Sequence, residues 1–503
     1  MKRWTPVAGA LSVSVVLAGC AAIPADRGAA TTALLKTRSD VAAGISMAGS
    51  SGDTQSEVAK ILAAPMNADA AVRVALLHSP RMRALYAQLG FAHADIYDAS
   101  RLSNPSLGYL RLTADGGVGQ TTWSLAQSFT ELLFLGYRTR VGRSQLLQAQ
   151  QTVASEVLAL EADVRSAYYE YVSAALVAQM RERVVALTGA SAQYAQQLFD
   201  AGNINTLQLS RELAMASEAR IEQRVTAVAA RTAQSGLMNL LGLALKDNGT
   251  TQFVVTLPLP VTVSADVKSL QEWALTQRLD LLALREEVSM QDTSLRHARR
   301  WRWLGGVQGV AESEREGDET LKGFGAELEL PLFNQGGGNL LRAHASLETA
   351  QANLAGLETE IGNDMVVRYA ALQAAQANVE EYRQRLVPLR ERIVNLSQEQ
   401  QTFMLIGTFE LLSVKQEEMD TYQAYLEAVR DFWIAHTELR RAAGGKLPAG
   451  IDATDTGISV GIDALATGAG SADTPSQQMQ GMDHSAHGGH DMPAMKPTTG
   501  ETP

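Results

Sequence analysis

A long stretch without proline most constrains how this chain can fold. No proline occurs between Pro105 and Pro258, and proline interrupts helical hydrogen bonds. Within this stretch, apolar residues recur at alternating spacings of four and three: Val153, Val157, Leu160, Val164, Ala167, Tyr171, Ala174 and Ala178. The spacing predicts a coiled-coil seam along one helix. About 60 helical residues over 138–198 would form a rod of roughly 90 Å.

A second seam follows in the other half of the chain. It comprises Leu372, Ala375, Val379, Tyr382, Leu386, Leu389, Ile393 and Leu396. Pro388 lies inside this seam, and we expect a bend there rather than the end of the helix, if neighbouring helices hold the segment. The alanines of both seams favour close packing of several helices over a two-stranded coiled coil.

The chain also repeats itself, with a period of about 200 residues that is far longer than any solenoid unit. Residues 75–85 match residues 274–284 at two alanines and two leucines. A glycine turn recurs at a similar offset, at Gly202 and Gly407, and we expect both glycines to have positive φ where the chain reverses. Each half therefore predicts a helix, two strands, a long helix, a turn and a further helix.

The predicted strands alternate between apolar and other residues. Segment 324–332 does so over its whole length, and we expect its partner to begin at Trp303 and to end at a polar turn over 312–319. In the first half, segments 107–112 and 121–129 flank Asp115-Gly116-Gly117, which is a hairpin signal. Four strands cannot close a barrel, and exposed apolar hairpins aggregate unless other copies complete the sheet.

Composition excludes several classes of protein. The chain is 46% hydrophobic and 19% charged, as globular proteins are, and its formal net charge of −11 argues against nucleic acid and against general adhesion to anionic lipid. One cysteine cannot form a disulfide within the chain. After the N-terminal segment no run reaches the ~18 apolar residues of a membrane-spanning helix, so we expect any further crossing to be made by strands.

The central part of the chain, residues 60–446, predicts no enzyme activity. The histidines of this part are scattered and no nucleophilic cysteine accompanies them; they are His78, His93, His297, His344 and His436. Gly336-Gly337-Gly338 lacks the Lys-Ser/Thr of a phosphate loop and is interpreted as a hinge between a strand and a helix. Trp301 and Trp303 lie among arginines, and we interpret them as an aromatic and basic girdle at a membrane interface rather than as a nucleic-acid site.

The N-terminal residues predict a lipid anchor. Lys2 and Arg3 precede an apolar stretch over 7–18, and Leu17-Ala18-Gly19-Cys20 resembles the bacterial lipobox. We expect cleavage before Cys20 and a covalent lipid on its thiol; an ordinary secretory signal is the alternative. Ala21 and Ala22 lack the aspartate that retains such lipoproteins in the inner membrane, which favours the outer membrane.

Several motifs occur in order within the two halves: Asn104-Pro105-Ser106-Leu107, Arg278-Leu279-Asp280-Leu281, Leu328-Glu329-Leu330-Pro331-Leu332-Phe333 and the two glycine turns. With these motifs, residues 60–446 resemble the TolC family of outer-membrane efflux ducts. The resemblance implies a mainly α fold with a membrane β-barrel. Long coiled-coil helices would form a periplasmic α-barrel, and four strands per chain would give a twelve-stranded barrel in a homotrimer.

The resemblance also implies partners and functional positions. The turns at Gly202, Asn203, Gly407 and Thr408 would be periplasmic tips that dock a membrane-fusion adaptor, coupled to an inner-membrane pump. Members of the family place gate aspartates just after the second tip, where this chain has Ser413 and Gln416. Glu410 and Glu417 lie nearby and are the candidate acidic replacements.

These expectations divide the chain into five segments. A signal peptide over 1–19 precedes a lipidated extension over 20–66. The first repeat spans 67–255, with a hairpin over 104–130 and a tip near residue 202, and the second spans 256–446, with a hairpin over 303–333 and a tip near residue 407. Residues 447–503 are predicted to be a disordered tail, because they are rich in Gly, Ala, Ser, Thr and Asp and lack periodicity.

The tail carries a cluster of metal-binding side chains. Its candidate ligands are Met482, His484, His487, His490 and Met492. Thioether and imidazole suit Cu(I) or Ag(I), and the imidazoles with Asp483 or Asp491 would suit Cu(II). The alternative is weak adventitious binding, such as any histidine-rich tract shows, and no cofactor is otherwise expected.

The sequence therefore predicts an outer-membrane channel lipoprotein that extends into the periplasm. We expect a passive exit duct of a tripartite efflux system, exporting copper or silver ions. A general duct for drugs or organic solutes is the first alternative. A periplasmic metal-scavenging lipoprotein that never spans the membrane is the second, and the two apolar hairpins argue against it.

Overall fold

A computed structural model of the chain describes residues 28–43, 51–113, 119–245, 252–260, 262–448 and 459–460. Cys20, the hairpin signal around Gly116 and the five candidate metal ligands of the tail lie outside these residues. What the sequence predicts for them stays a prediction.

The first half of the chain begins with short helices and then forms a hairpin and two long helices. The helices that precede the hairpin are α1 Ala29–Lys36, α2 Asp40–Ala43, α3 Ser51–Leu62, α4 Ala68–His78 and α5 Pro80–Ala99. The hairpin and the long helices are β1 Ser106–Thr113, β2 Gly119–Ser128, α6 Phe129–Asp200 and α7 Thr206–Leu241.

The second half repeats this order. Its first elements are β3 Leu257–Pro258, α8 Val267–Gln277, α9 Leu279–Trp301, β4 Val307–Glu316 and β5 Glu319–Leu328. The remaining elements are α10 Gly337–Glu381, a π-helical segment Tyr382–Leu386, α11 Val387–Thr402, α12 Thr408–Ala442 and β6 Ser459–Val460. Matching caps begin α4 and α8, since the side chain of Asn67 accepts from Ala70 N at 2.9 Å and that of Asp266 accepts from Ser269 N at 3.1 Å.

The longest helix, α6, starts earlier than its seam predicts. It has 72 residues and begins at Phe129, which the sequence placed in a strand, so it is about 108 Å long. Val153, Val157, Leu160 and Val164 are at most 1% exposed, which confirms this part of the seam. Beyond them the buried residues form two adjacent lines, because α6 packs against α7 on one side and α12 on another.

The helix that contains Pro388 continues through it, as predicted. The π segment lies just before this proline and accommodates its missing N–H. A π segment also shifts the buried face by one residue: Val387 and Val394 are 5% and 7% exposed, whereas Leu386 and Ile393 are 37% and 39% exposed. The predicted seam is therefore wrong after Tyr382, because its last members, Leu386, Leu389, Ile393 and Leu396, face away from the rest of the chain.

The four long strands form one antiparallel sheet in the order β1-β2-β4-β5. The predicted polar turn over 312–319 is wrong: residues 312–316 belong to β4, and Gly317-Asp318 alone make the turn, with Gly317 at φ 58°. Alternate glutamates can stay in a strand when one of its faces meets water. Strand β5 ends at Leu328, so Leu330 and Leu332 lie in the connection to α10 rather than in the strand.

The core lies where α4, α6, α8, α9 and α12 meet, and the described residues 38–39 and 459–460 are attached to its elements. Arg38 Nε donates to Gln277 O at 2.9 Å, and Ser39 Oγ donates to Glu161 at 2.5 Å. Ser459 and Val460 pair with β3, so the predicted disorder of the tail is wrong for these two residues. Alternating Ile458, Val460 and Ile462 are a local strand pattern that the overall composition hides.

Candidate functional site

The four-stranded sheet has two faces of different chemistry. Residues that oppose each other in an antiparallel ladder place their side chains on the same face. One row across all four strands is therefore Leu107, Leu125, Ala311 and Phe324. The next row toward the hairpin ends is Tyr109, Trp123, Ser313 and Lys322, and toward the helices the same face continues to Val307 and Leu328. We call this face the apolar face.

The opposite face carries the carboxylates of the sheet. By the same register, this acidic face presents Glu312, Glu314, Glu316, Glu319 and Glu327. On β2 it presents Gln120, Thr122 and Ser124, and Gln120 donates to Glu314. One sheet thus has a face suited to hydrocarbon and a face suited to water and cations.

Both edges of this sheet are open. Strands β1 and β5 each pair with only one other strand among the described residues. Their large side chains on the apolar face are exposed, with Leu107 70% and Phe324 94% accessible. Open edges beside an exposed apolar face cause aggregation unless another chain covers them.

Aromatic and basic residues lie at both ends of the apolar face. Near the hairpins, the rings of Tyr109 and Trp123 are 4.7 Å apart. Near the helices, the Arg302 guanidinium lies 4.5 Å from the ring of exposed Trp303, whereas Trp301 packs edge-on to Phe134. Of the two tryptophans of the predicted girdle, Trp303 is exposed and Trp301 is not, and the girdle at a membrane interface stays a prediction.

A recess of about 580 Å³ opens between the sheet and the helices. Tyr137 stacks on His297 at 3.7 Å on one side, and Glu329, Arg302 and Arg342 line the recess further along. Gly336, at φ 70°, directly precedes α10 and lies beside the backbone of Arg302, where a side chain would be crowded. Gly337 and Gly338 are the first residues of α10, so the glycine run starts the helix, and its interpretation as a hinge stays a prediction.

The two helical turns at the far end of the molecule have the same backbone pattern. In the first, Gly202 has φ 76° and its N–H bonds Phe199 O, while Asn203 N–H bonds Leu198 O. In the second, the left-handed residue is Met404, at φ 60°. The prediction for Gly407 is wrong, because this glycine has φ −80° and ψ 156° and directly precedes α12. Glycine was a misleading marker, since here a methionine adopts the left-handed conformation at some cost in energy.

The second turn presents an apolar surface to solvent. Phe403, Met404 and Leu405 are 76%, 92% and 73% exposed. Asn203 and Thr408, which the resemblance assigns to adaptor docking, lie in the first turn and at the start of α12. We did not predict this hydrophobic triplet from the sequence, although three consecutive apolar residues beside a turn indicate a surface for contact with another protein.

The candidate gate residues lie along the first turns of α12. Glu410, Ser413 and Glu417 are exposed, and Gln416 is half-buried. The Glu417 carboxylate accepts from Arg390 of α11 at 2.5 Å. Two further links were not predicted from the sequence: Tyr422 Oη donates to Glu391 at 2.8 Å, and Arg181 of α6 pairs with Asp420 at 2.9 Å. These bonds connect α12 to both of its neighbours near the tips.

Two helices carry exposed apolar stripes. On α7 the stripe consists of Ile221, Val225 and Val228, which are more than half exposed. On α11 it consists of the displaced seam residues Leu386, Leu389, Ile393 and Leu396. A helix exposes such a stripe in a single chain when its partner is another chain.

Among the histidines whose positions are described, His436 is deeply buried in the helical core. His436 is 3% exposed, and burial, with Arg440 and Arg165 nearby, lowers its pKa from 6.5 to about 3. Arg165 itself is held by Glu161 at 3.2 Å and Asp69 at 2.7 Å. Within the described part of the chain, no three His, Cys, Asp or Glu residues lie close enough to hold a metal ion.

Among the residues with described positions, no helix combines the length and the apolar composition needed to cross a membrane.

The fold is that of known outer-membrane channel proteins. No family model and no curated protein matches the sequence. A membrane protein from Pseudomonas aeruginosa aligns with a TM-score of 0.65 and 17% identity, over 75% of this chain and 92% of its own. The outer membrane protein VceC from Vibrio cholerae aligns with a TM-score of 0.61 and 15% identity, over 76% and 97%. The Campylobacter jejuni CmeC outer membrane channel gives 0.57 and 15%, over 78% and 86%.

Proposed function

We propose that the chain belongs to the TolC family and forms the outer-membrane duct of a tripartite efflux system. One observation carries the proposal: a four-stranded sheet with two open edges has one apolar and one acidic face. A sheet of this kind is incomplete in a single chain. It becomes a membrane channel when copies close it, with the apolar face toward lipid and the acidic face toward the lumen.

Three copies close the sheet with regular geometry. Strands β1, β2, β4 and β5 alternate in direction, so β5 of one copy and β1 of the next are antiparallel. Three chains then give twelve strands without an edge, within the range of known barrels. The apolar stripes of α7 and α11 support the same assembly, because adjacent copies would bury them in a periplasmic α-barrel.

The helical tips are the proposed docking end. Phe403, Met404 and Leu405 offer an apolar contact next to the first turn at Gly202, and a periplasmic adaptor would cover it. The adaptor would link the duct to an inner-membrane pump that supplies the energy. We place the gate on α12 at Glu410, Ser413, Gln416 and Glu417, where the pair of Glu417 with Arg390 holds α12 to α11.

The proposed substrate is copper or silver ion. The support lies in the ligands of the tail, Met482, His484, His487, His490 and Met492, and in the acidic face, which would favour cations in the lumen. A general duct for organic solutes is the alternative, favoured by a lumen face that also contains Leu110 and Leu112. Covalent lipid on Cys20 would add an anchor to the outer membrane beside the barrel.

Planar bilayer recordings test the proposed duct. The full-length protein should insert and give discrete conductance steps, with a reversal potential in a KCl gradient that indicates preference for K⁺ over Cl⁻. Because Glu312 and Glu314 would line the lumen, E312Q/E314Q should reduce this preference and keep the conductance steps. Absence of steps from protein that has been recovered in the outer membrane would contradict the proposal.

A further inference from the structure

Three basic side chains lie on the apolar face of the sheet, close to the hairpin ends. The ladders pair Arg111 with Thr121 and Thr121 with Arg315, so the two arginines share a row on this face. Lys322 opposes Ser313, two residues from Arg315 on the neighbouring strand. All three side chains are exposed. We call these residues the basic belt.

The spacing of the belt spans most of the sheet. Arg111 and Arg315 are separated by one intervening strand, which is about 10 Å at ~4.8 Å per strand. Lys322 is a diagonal neighbour of Arg315, at roughly 7–8 Å. The glutamates of β4 and β5 point to the opposite face by register, so no carboxylate of these strands lies on the belt's own face. The belt is thus a local positive surface on a chain of net charge −11.

The rows of this face follow the polarity profile of half a membrane. The row that contains Lys322 also contains the Tyr109–Trp123 pair, and the next row inward contains Leu107, Leu125, Ala311 and Phe324. Cations, then aromatic rings, then aliphatic side chains are the sequence of groups that matches headgroups, interface and hydrocarbon.

We infer that the basic belt binds the phosphate headgroups of an anionic membrane lipid at the hairpin end of the sheet. Two arginines and a lysine at these distances suit a headgroup with more than one phosphate, since arginine binds phosphate with paired hydrogen bonds. The inference rests on the proposed function, because the apolar face must lie in a bilayer. In a trimer the belt would recur three times around the barrel.

Lipid titration of the intact detergent-purified protein, followed by native mass spectrometry, tests this inference. The probes are lipid A, whose headgroup carries two phosphates, phosphatidylethanolamine as a lipid without net charge, and sodium pyrophosphate as a phosphate without lipid. The test variant is R111Q/R315Q/K322Q. The matched control is R211Q/R220Q/R231Q, which removes three exposed positive charges from α7.

The wild type and the control should bind lipid A in preference to phosphatidylethanolamine, and the belt variant should bind it about 100-fold more weakly, as each cation at an anionic surface contributes roughly fivefold. Equal lipid A binding by the belt variant and the control would overturn the inference while leaving the channel proposal intact. Pyrophosphate binding as tight as that of lipid A would also overturn it, because the site would then recognise free phosphate. Failure of all three proteins to assemble into membrane-inserted oligomers would instead contradict the proposed function. It would then contradict lipid binding by the basic belt as well, because this inference rests on the proposed function.

Discussion

Met404 holds in the second helical turn the backbone position that Gly202 holds in the first. Their φ angles are 60° and 76°. In both turns the backbone N–H of the left-handed residue donates a hydrogen bond to the carbonyl oxygen three residues earlier. The N–H of the next residue donates to the carbonyl oxygen five residues earlier. The residues that directly precede the following helices, Asn205 in the first turn and Gly407 in the second, correspond as well. The repeat is therefore structural at the tips, although the glycine that marks the first turn is displaced in the second.

The left-handed backbone predicts opposite effects of substitution in the two turns. Met404→Gly should stabilise each chain by about 1 kcal/mol, because glycine adopts this conformation without the steric cost that methionine bears. Gly202→Val should destabilise it by roughly 1–2 kcal/mol for the converse reason. Thermal unfolding of the purified protein, followed by circular dichroism, measures both.

Gly407 provides the internal control for these two variants. Its backbone is extended, so Gly407→Val carries no left-handed penalty, and G202V/G407V should unfold at nearly the same temperature as G202V. A destabilisation by G407V as large as that by G202V would contradict the assignment of the left-handed position to Met404.

The two faces of β5 predict different responses to charge. Leu328→Arg places a cation on the apolar face and should destabilise the inserted protein by about 2–4 kcal/mol if the residue lies near the middle of the bilayer. Glu327→Gln, on the acidic face, should have little effect. Urea unfolding in lipid vesicles compares the two, and equal stabilities would show that the apolar face does not meet lipid.

Burial of His436 predicts a loss of stability in acid. Its folded pKa, about 3, is below the ordinary value of 6.5, so the folded state resists protonation and the unfolded state does not. Stability from this group is complete above pH ~6.5 and falls by up to about 1.4 kcal/mol per pH unit as the pH decreases toward 3. Thermal unfolding between pH 7 and pH 4 should show a weaker pH dependence for His436→Gln than for the wild type. His344→Gln, which replaces an exposed histidine, should match the wild type; identical curves for all three would contradict the prediction.

The tail should determine metal tolerance without affecting assembly. Deletion of residues 476–497 removes the two methionines and three histidines of the cluster, together with Met479 and Met495. We expect unchanged oligomers and unchanged passage of organic solutes, with lower tolerance of copper or silver. Growth of the deletion strain on both metals, with Cu(I) titration of the isolated peptide against a competing chelator, is the measurement. Unchanged tolerance and binding no tighter than that of a Gly/Ser peptide with one histidine would favour the general duct.

Local periodicity was sufficient to predict the long helices and the four long strands, but not helices α1–α3 or the short strands β3 and β6. The seam through Val153 and Val164 consists of residues that are buried within one chain, whereas the alternation at Phe324 corresponds to the two faces of β5, one of which is exposed. The bounds were less predictable. Phe129 has strand propensity, yet it begins α6, and its ring packs against Gly309 of β4.

The remaining errors arise where a backbone irregularity changes the phase of a pattern. The π segment before Pro388 moves the buried face of the helix from Leu386 to Val387. The spacing of apolar residues in the sequence does not reveal where a helix contains such an extra residue. In the same way, Met404 adopts the left-handed conformation that glycine favours. The sequence therefore led us to assign this conformation to the nearby Gly407, which does not adopt it. The pairs Arg390–Glu417 and Tyr422–Glu391 join separate helices, and the sequence contains no signal that aligns them.

The number of chains in the membrane-embedded particle decides whether copies of this chain close the sheet. Native mass spectrometry of the full-length protein, extracted from outer membranes in gentle detergent, measures it. We expect three copies: the open edges of β1 and β5 and the apolar stripes of α7 and α11 require neighbours, and the resemblance to the TolC family implies a trimer. A monodisperse monomer would contradict it.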